Sequence, residues 1–136
     1  MTHWGVRPVD ANCSNIIESI SDRLKSFPMH SFETRDFPRA IALNPRIRES
    51  FYAHLGGPAV RRTHFFRGRF ENIYLPLELM PEVSNVLIFV KHAAGEVLGH
   101  SANDIHVGFW FNLMQPGEVT TRHTHDDDDE LLSAVY

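Results

Sequence analysis

The stretch Ile105-His106-Val107-Gly108-Phe109-Trp110-Phe111-Asn112-Leu113-Met114 changes the period of the chain and decides its fold. Ile105, Val107, Phe109, Phe111 and Leu113 fall on one side of an alternation, and His106, Gly108, Trp110, Asn112 and Met114 on the other. A period of two is that of a β-strand. Both sides carry bulk, so both faces are expected to be covered, the first by a helix and the second by the interior of a barrel or sandwich. Pro116-Gly117 then fits the two central positions of a type II turn. Such a turn splays its flanking strands, which suits a corner between sheets. Residues 119–125 read as the next strand, with Val119, Thr121, His123 and His125 on one side. The acidic run Asp126-Asp127-Asp128-Asp129-Glu130 reads as a loop, and 131–136 as a third strand.

Upstream the period is helical. Pro81 opens the longest predicted helix, running to about Gly99, with Val83, Val86, Leu87, Val90, Ala94, Val97 and Leu98 as a wide apolar stripe that wants a sheet to cover. Asn44-Pro45 predicts a second helix start, a cap followed by proline at the first helical position. That helix would bury Ile47, Phe51 and Leu55 and end at Gly56-Gly57. Ile16, Ile17, Ile20, Leu24 and Phe27 predict a third helix, capped by Ser14 and stopped by Pro28. Thr63-His64-Phe65-Phe66-Arg67-Gly68-Arg69-Phe70 reads as one strand or two short ones. The rest of the N-terminal half reads as helices and loops.

The chain has 136 residues, so one domain is expected. It carries 13 basic and 17 acidic residues, a formal charge of −4. Without the acidic run at 126–130 it would be nearly neutral. That argues against a general nucleic-acid or membrane binder, whose charge would be basic across a face. Apolar residues make up 43% and charged residues 22%, which excludes the composition of a disordered chain. Apolar runs such as Val86-Leu87-Ile88-Phe89-Val90 are too short to span a bilayer. Met1-Thr2-His3-Trp4-Gly5 lacks the basic and apolar regions of a signal peptide. Cys13 is the single cysteine, so no internal disulfide can form, and a cytoplasmic protein is the expectation.

Histidine is the unusual residue. There are 9, and His123 and His125 stand two apart on a predicted strand, where both project to one face close enough to chelate one ion. Imidazole suits iron, zinc, copper and nickel. Asp127 follows two residues later and Glu130 five residues after His125. Two imidazoles and one carboxylate with open positions left for substrate and oxygen form the facial triad of non-haem Fe(II) oxygenases. His64, His92, His100 and His106 have no partner at chelating spacing and read as surface or satisfied side chains.

Phe109-Trp110-Phe111-Asn112-Leu113-Met114-Gln115-Pro116-Gly117, then Arg122-His123-Thr124-His125, then Leu131-Leu132-Ser133-Ala134-Val135-Tyr136, together resemble a family of 2-oxoglutarate/Fe(II)-dependent oxygenases. The match covers about the last thirty residues. Ala134 stands where that family usually has glycine. The resemblance implies an α+β fold, N-terminal helices packed on an incomplete double-stranded β-helix, or jelly roll. Residues 1–100 would be mainly helical support with one or two strands, and 101–136 the first strands of the β-helix. It further implies Fe(II) held by His123 and His125, with Asp127 as a substitute second ligand if the site follows the commoner His-x-Asp form of the superfamily, and 2-oxoglutarate as cosubstrate. Trp110, Asn112, Ser133 and Tyr136 are candidates to line the cosubstrate pocket. The expected activity is hydroxylation of a small molecule or a substrate of another kind.

Gly117, His123, His125 and Glu130 also fit the first motif of the cupins, whose metal is bound by both histidines and the glutamate. The alternative is therefore a non-enzymatic metal-binding module of cupin type, with the same fold. A structural relic without metal is a third reading.

Both families complete their metal site with a histidine from a later strand, and the oxygenases add a basic residue for 2-oxoglutarate. A closed barrel needs roughly eight strands to fill its interior, and only about four precede 131–136. The expectation is that the missing strands come from another chain or that this is the N-terminal part of a longer one. The apolar last strand would offer an edge for a homodimer. Arg61, Arg62, Arg67 and Arg69, interleaved with Phe65, Phe66 and Phe70, read as an edge strand with arginines to water and phenylalanines to the core, not as a nucleic-acid surface.

Overall fold

Alternation in the stretch beginning at Ile105 is carried directly into burial. Ile105 and Phe111 are buried, Val107 and Phe109 pack against the core, and His106 and Gly108 are exposed. This strand belongs to an antiparallel sheet in a computed structural model that describes residues 2–8, 33–121 and 132–136. The elements are β1 (Thr2–Pro8), α1 (Ala40–His54), β2 (Arg61–Phe66), β3 (Arg69–Tyr74), α2 (Val83–Leu98), β4 (Ile105–Phe111) and β5 (Leu132–Val135), in sheet order β2-β3-β4-β1-β5. The fold is α+β, and among the described residues the sheet is single.

The stripe on α2 lies over the apolar side of β4. Val83 and Val86 are 1% exposed, and full burial of such a side chain contributes about 1.5–3 kcal/mol. With Phe51 of α1, Ile73 of β3, Leu75, Met80 and Phe111 they form the main core. Ala94, Leu98 and Ile105 form a second cluster toward the other end of α2. That helix stops where Gly99 takes a left-handed φ of 70°, as its glycine predicted. The His100 N–H then closes the end on the Gly95 carbonyl at 2.9 Å.

Helix α1 begins at Ala40, four residues before the expected cap, and Pro45 lies inside it. Proline removes the N–H that would bond the Ile41 carbonyl. Ile41 is 95% exposed, so water can satisfy that carbonyl and the helix tolerates the loss. The preceding turn is stitched by Ala40 N–H to Phe37 O and Leu43 N–H to Arg39 O, at 3.1 and 3.0 Å. Its end at His54, with Gly57 N–H bonding back to His54 O at 2.9 Å, agrees with the Gly56-Gly57 signal.

The stretch 63–70 resolves into two strands. Arg67 and Gly68 have φ of 47° and 85°, the two left-handed residues of a type I′ hairpin turn. Arg61, Arg62 and Arg67 face water as expected and Phe66 is half-buried, but Phe65, Phe70 and Arg69 depart from the expected facing. Phe65 and Phe70 lie opposite each other in the register and are 66% and 39% exposed, their rings edge to face at 5.1 Å. Arg69 instead turns inward. The register explains this: Ile73 faces the core opposite Phe111, so Glu71 and Arg69 share its side of β3 while Phe70 takes the other.

Strand β1 corrects the reading of the N-terminus as helices and loops. It is short and carries Gly5, and its extended form comes from its neighbours, with β4 along all seven residues and β5 along four. Among the described residues three strands, β1, β2 and β3, precede residue 100. Residues 119–121, expected to begin a strand, are irregular. The helix expected from Ser14 to Phe27, and the remainder of the strand to His125, lie outside the described residues. On the other side of β4, His106 and Gly108 are exposed, Trp110 is half-buried and Asn112 is buried, and among the described residues no second sheet covers that side as a barrel or sandwich would. No helix among the described residues is long and apolar enough to cross a membrane.

Candidate functional site

The chain leaving β4 is held by a buried polar cluster before it reaches His123. Gly117, at φ 86°, occupies the third position of the Pro116-Gly117 turn, and Glu118 N–H bonds Gln115 O at 3.1 Å. The Glu118 carboxylate accepts from Gln115 N–H at 2.7 Å. Arg69 reaches across from β3. Its guanidinium donates to Asn112 Oδ1 at 2.6 Å and to the Val119 carbonyl at 3.0 Å. It also lies 3.4 Å from the Glu118 carboxylate and 3.6 Å from that of Glu71. Glu71 in turn accepts the Thr121 N–H at 2.7 Å.

Glu71 and Asn112 are each only 6% exposed. Burying such groups is costly unless they are paired. Here one arginine and one glutamate bind four points of the segment 112–121. Thr121 is thereby tied to β3 two residues before His123. Sequence reading missed this cluster because it assigned the hairpin arginines to solvent.

His123, His125 and Asp127, with Glu130, lie outside the described residues. The four cosubstrate candidates do not share one site: Asn112 and Tyr136 line one cleft, and Trp110 and Ser133 lie elsewhere. Trp110 is half-buried on the sheet face away from the helices, its ring 6.3 Å from that of Tyr74. Ser133 is exposed on β5, opposite Gly5. Tyr136 stands three residues further on and falls on the helix side. Its hydroxyl donates to Asn44 Oδ1, its ring meets Phe37 edge-on at 5.6 Å, and burial raises its phenol pKa. Among the described residues no three His, Cys, Asp or Glu side chains gather to hold a metal. His64 has a left-handed φ of 55° and its ring nitrogen lies 3.0 Å from both Thr63 Oγ1 and Asn72 Nδ2.

Asn112 and Tyr136 meet at a cleft of about 300 Å³ between α1 and the end of β4. Its floor is apolar, with Phe51 and Phe111 in ring contact at 4.8 Å and Ile47 and Leu113 beside them. Its rim carries Asn44, Arg48 and Tyr52. These three are spaced by four residues and so form one ridge of α1, with Ile47 and Phe51 forming the next. That spacing is the signal the sequence offered. No motif marked it, because a charged helix position ordinarily faces solvent.

No family model matches the chain, and neither does any curated protein or solved structure.

Proposed function

We infer that the chain is an Fe(II)/2-oxoglutarate-dependent oxygenase of hydroxylase type, or the N-terminal part of one, built on a double-stranded β-helix. The observation that carries this reading is His123-Thr124-His125, set between the Trp110-Phe111-Asn112 segment and the Leu132–Val135 strand. Support comes from the extended backbone of β4 and β5 and from the left-handed Gly117 at the corner between them. The anchoring of Thr121 by Glu71 adds to it, since a chelating pair gains from a fixed approach.

Two imidazoles and a carboxylate suit Fe(II), and His123, His125 and Asp127 would hold it. Bound there with 2-oxoglutarate and O2, iron supplies an oxidative decarboxylation coupled to hydroxylation of a C–H bond. The protein's part is to hold the ligands, orient the substrate and exclude water. One cysteine, at position 13, suits a reducing compartment such as the cytoplasm.

The test is Fe(II) binding by calorimetry under anaerobic conditions, alongside succinate formation from 2-oxoglutarate. Binding should be lost in His123→Ala and in His125→Ala and weakened in Asp127→Asn. Dependence on Glu130 instead of Asp127, without succinate, would move the protein to the cupin-type metal-binding alternative. Equal iron binding by the parent and both histidine variants would overturn the metal reading altogether.

A further inference from the structure

We propose that the cleft between α1 and the end of β4 is a binding site for a small organic monoanion with a flat apolar body, such as an aryl carboxylate. Among the described residues, the side chains facing it include one cation, Arg48, and no carboxylate. Arg48 makes no hydrogen bond or ion pair among the described residues. By contrast Arg46, two residues earlier on α1, is paired with Glu82 at 3.2 Å. An uncompensated guanidinium beside a floor of Phe51 and Phe111 offers two complementary elements, a fork for an anion and a surface for a ring.

The Asn44 carbonyl oxygen is occupied by the Tyr136 hydroxyl, which leaves the Asn44 amide NH2 to donate. Tyr52, exposed one turn beyond Arg48, adds a phenolic hydroxyl at the rim. The side chains of Arg48, Asn44 and Tyr52 can all donate, and side-chain donors around an apolar floor select an anion with an apolar body over a cation. A volume of about 300 Å³ is at the small end of ligand sites, enough for one ring and its carboxylate. The cleft lies on the helix side of the sheet and needs no metal, so this inference does not depend on the oxygenase reading.

The experiment titrates the full 136-residue chain, with a chelator present, with phenylacetate and with its neutral isostere phenylacetamide, following backbone amide shifts by NMR. Phenylacetate should bind about fivefold more tightly, the scale of a partly solvated ion pair, and should shift the amides of Phe51 and Leu113. The preference should vanish in Arg48→Gln, be partly restored in Arg48→Lys, and persist in Arg46→Gln. Equal affinity for the two probes, absence of shifts at the cleft, or a preference that survives Arg48→Gln would each overturn the proposal. His123→Ala should leave the titration unchanged, which separates this site from the metal site.

Discussion

Gly95 shows how one missing methyl group sets the turn between α2 and β4. A Cβ there would lie 2.7 Å from the His100 carbonyl oxygen and 3.3 Å from the Ala102 nitrogen, both backbone atoms that cannot simply rotate away. In a free helix, alanine in place of glycine gains about 1 kcal/mol. Overpacking against fixed atoms costs about 1–3 kcal/mol. A Cβ that close to backbone atoms puts the cost at the upper part of that range, so Gly95→Ala is expected to lose up to about 2 kcal/mol in urea unfolding. A gain in stability would mean that the 99–102 turn yields freely. Single residues whose backbone demand is local were legible in the sequence. Gly117 was one, because the third position of a type II turn needs positive φ; Gly99 was another, as a helix stop. Pro45 was misread because its usual place at a helix start is a preference, and an exposed carbonyl four residues earlier made an interior place tolerable.

At the scale of elements, β4 and α2 were legible because each buries one face and the burial imposes its period on the sequence. Strand β1 was not, since its pairing with β4 and β5 joins residues about a hundred positions apart and leaves little mark in seven residues. The hairpin was half legible: strand character over 63–70 could be read, as one strand or two short ones, but the Arg67-Gly68 turn and the facing could not. The exposed phenylalanines and the inward Arg69 depend on register against β4, which composition does not encode. The cost of that inward arginine is met by the segment it holds. Arg69→Met should take the Arg69 guanidinium away from the buried Glu71 carboxylate and remove its hydrogen bonds to Asn112 and the Val119 carbonyl. Breaking one member of a buried ion pair typically costs about 3–5 kcal/mol. Thermal unfolding should show a loss of that order, and hydrogen exchange should show faster exchange at Thr121. The double variant Arg69→Met/Glu71→Leu should recover part of the loss, because it removes both charges together. A variant as stable as the parent would mean that the cluster contributes no net stability and only orders the loop.

At the scale of the molecule, the two ends of the sheet are unlike. At one end β2 is an edge strand beginning with Arg61 and Arg62, and charge on an edge discourages pairing. At the other end β5 is the edge, and Leu132-Ser133-Ala134-Val135-Tyr136 carries no charged side chain. Val135 is 55% exposed there. Among the described residues β5 pairs with β1 alone, and a second copy meeting its other side antiparallel would extend the sheet across a two-fold axis. The metal ligands proposed from the sequence, His123 and His125, precede this strand in the chain. The cleft was not legible, because Arg48 and Tyr136 come together only through the docking of α1 on the sheet. Sedimentation velocity over a hundredfold concentration range should therefore show a monomer–dimer equilibrium. Val135→Lys, which places a charge on the edge without touching the core, should move it toward monomer while leaving the unfolding temperature at low concentration unchanged. Arg62→Ala, at the opposite edge, should not weaken the dimer. A monomer at every concentration, or a dimer indifferent to Val135→Lys, would show that β5 is not the interface.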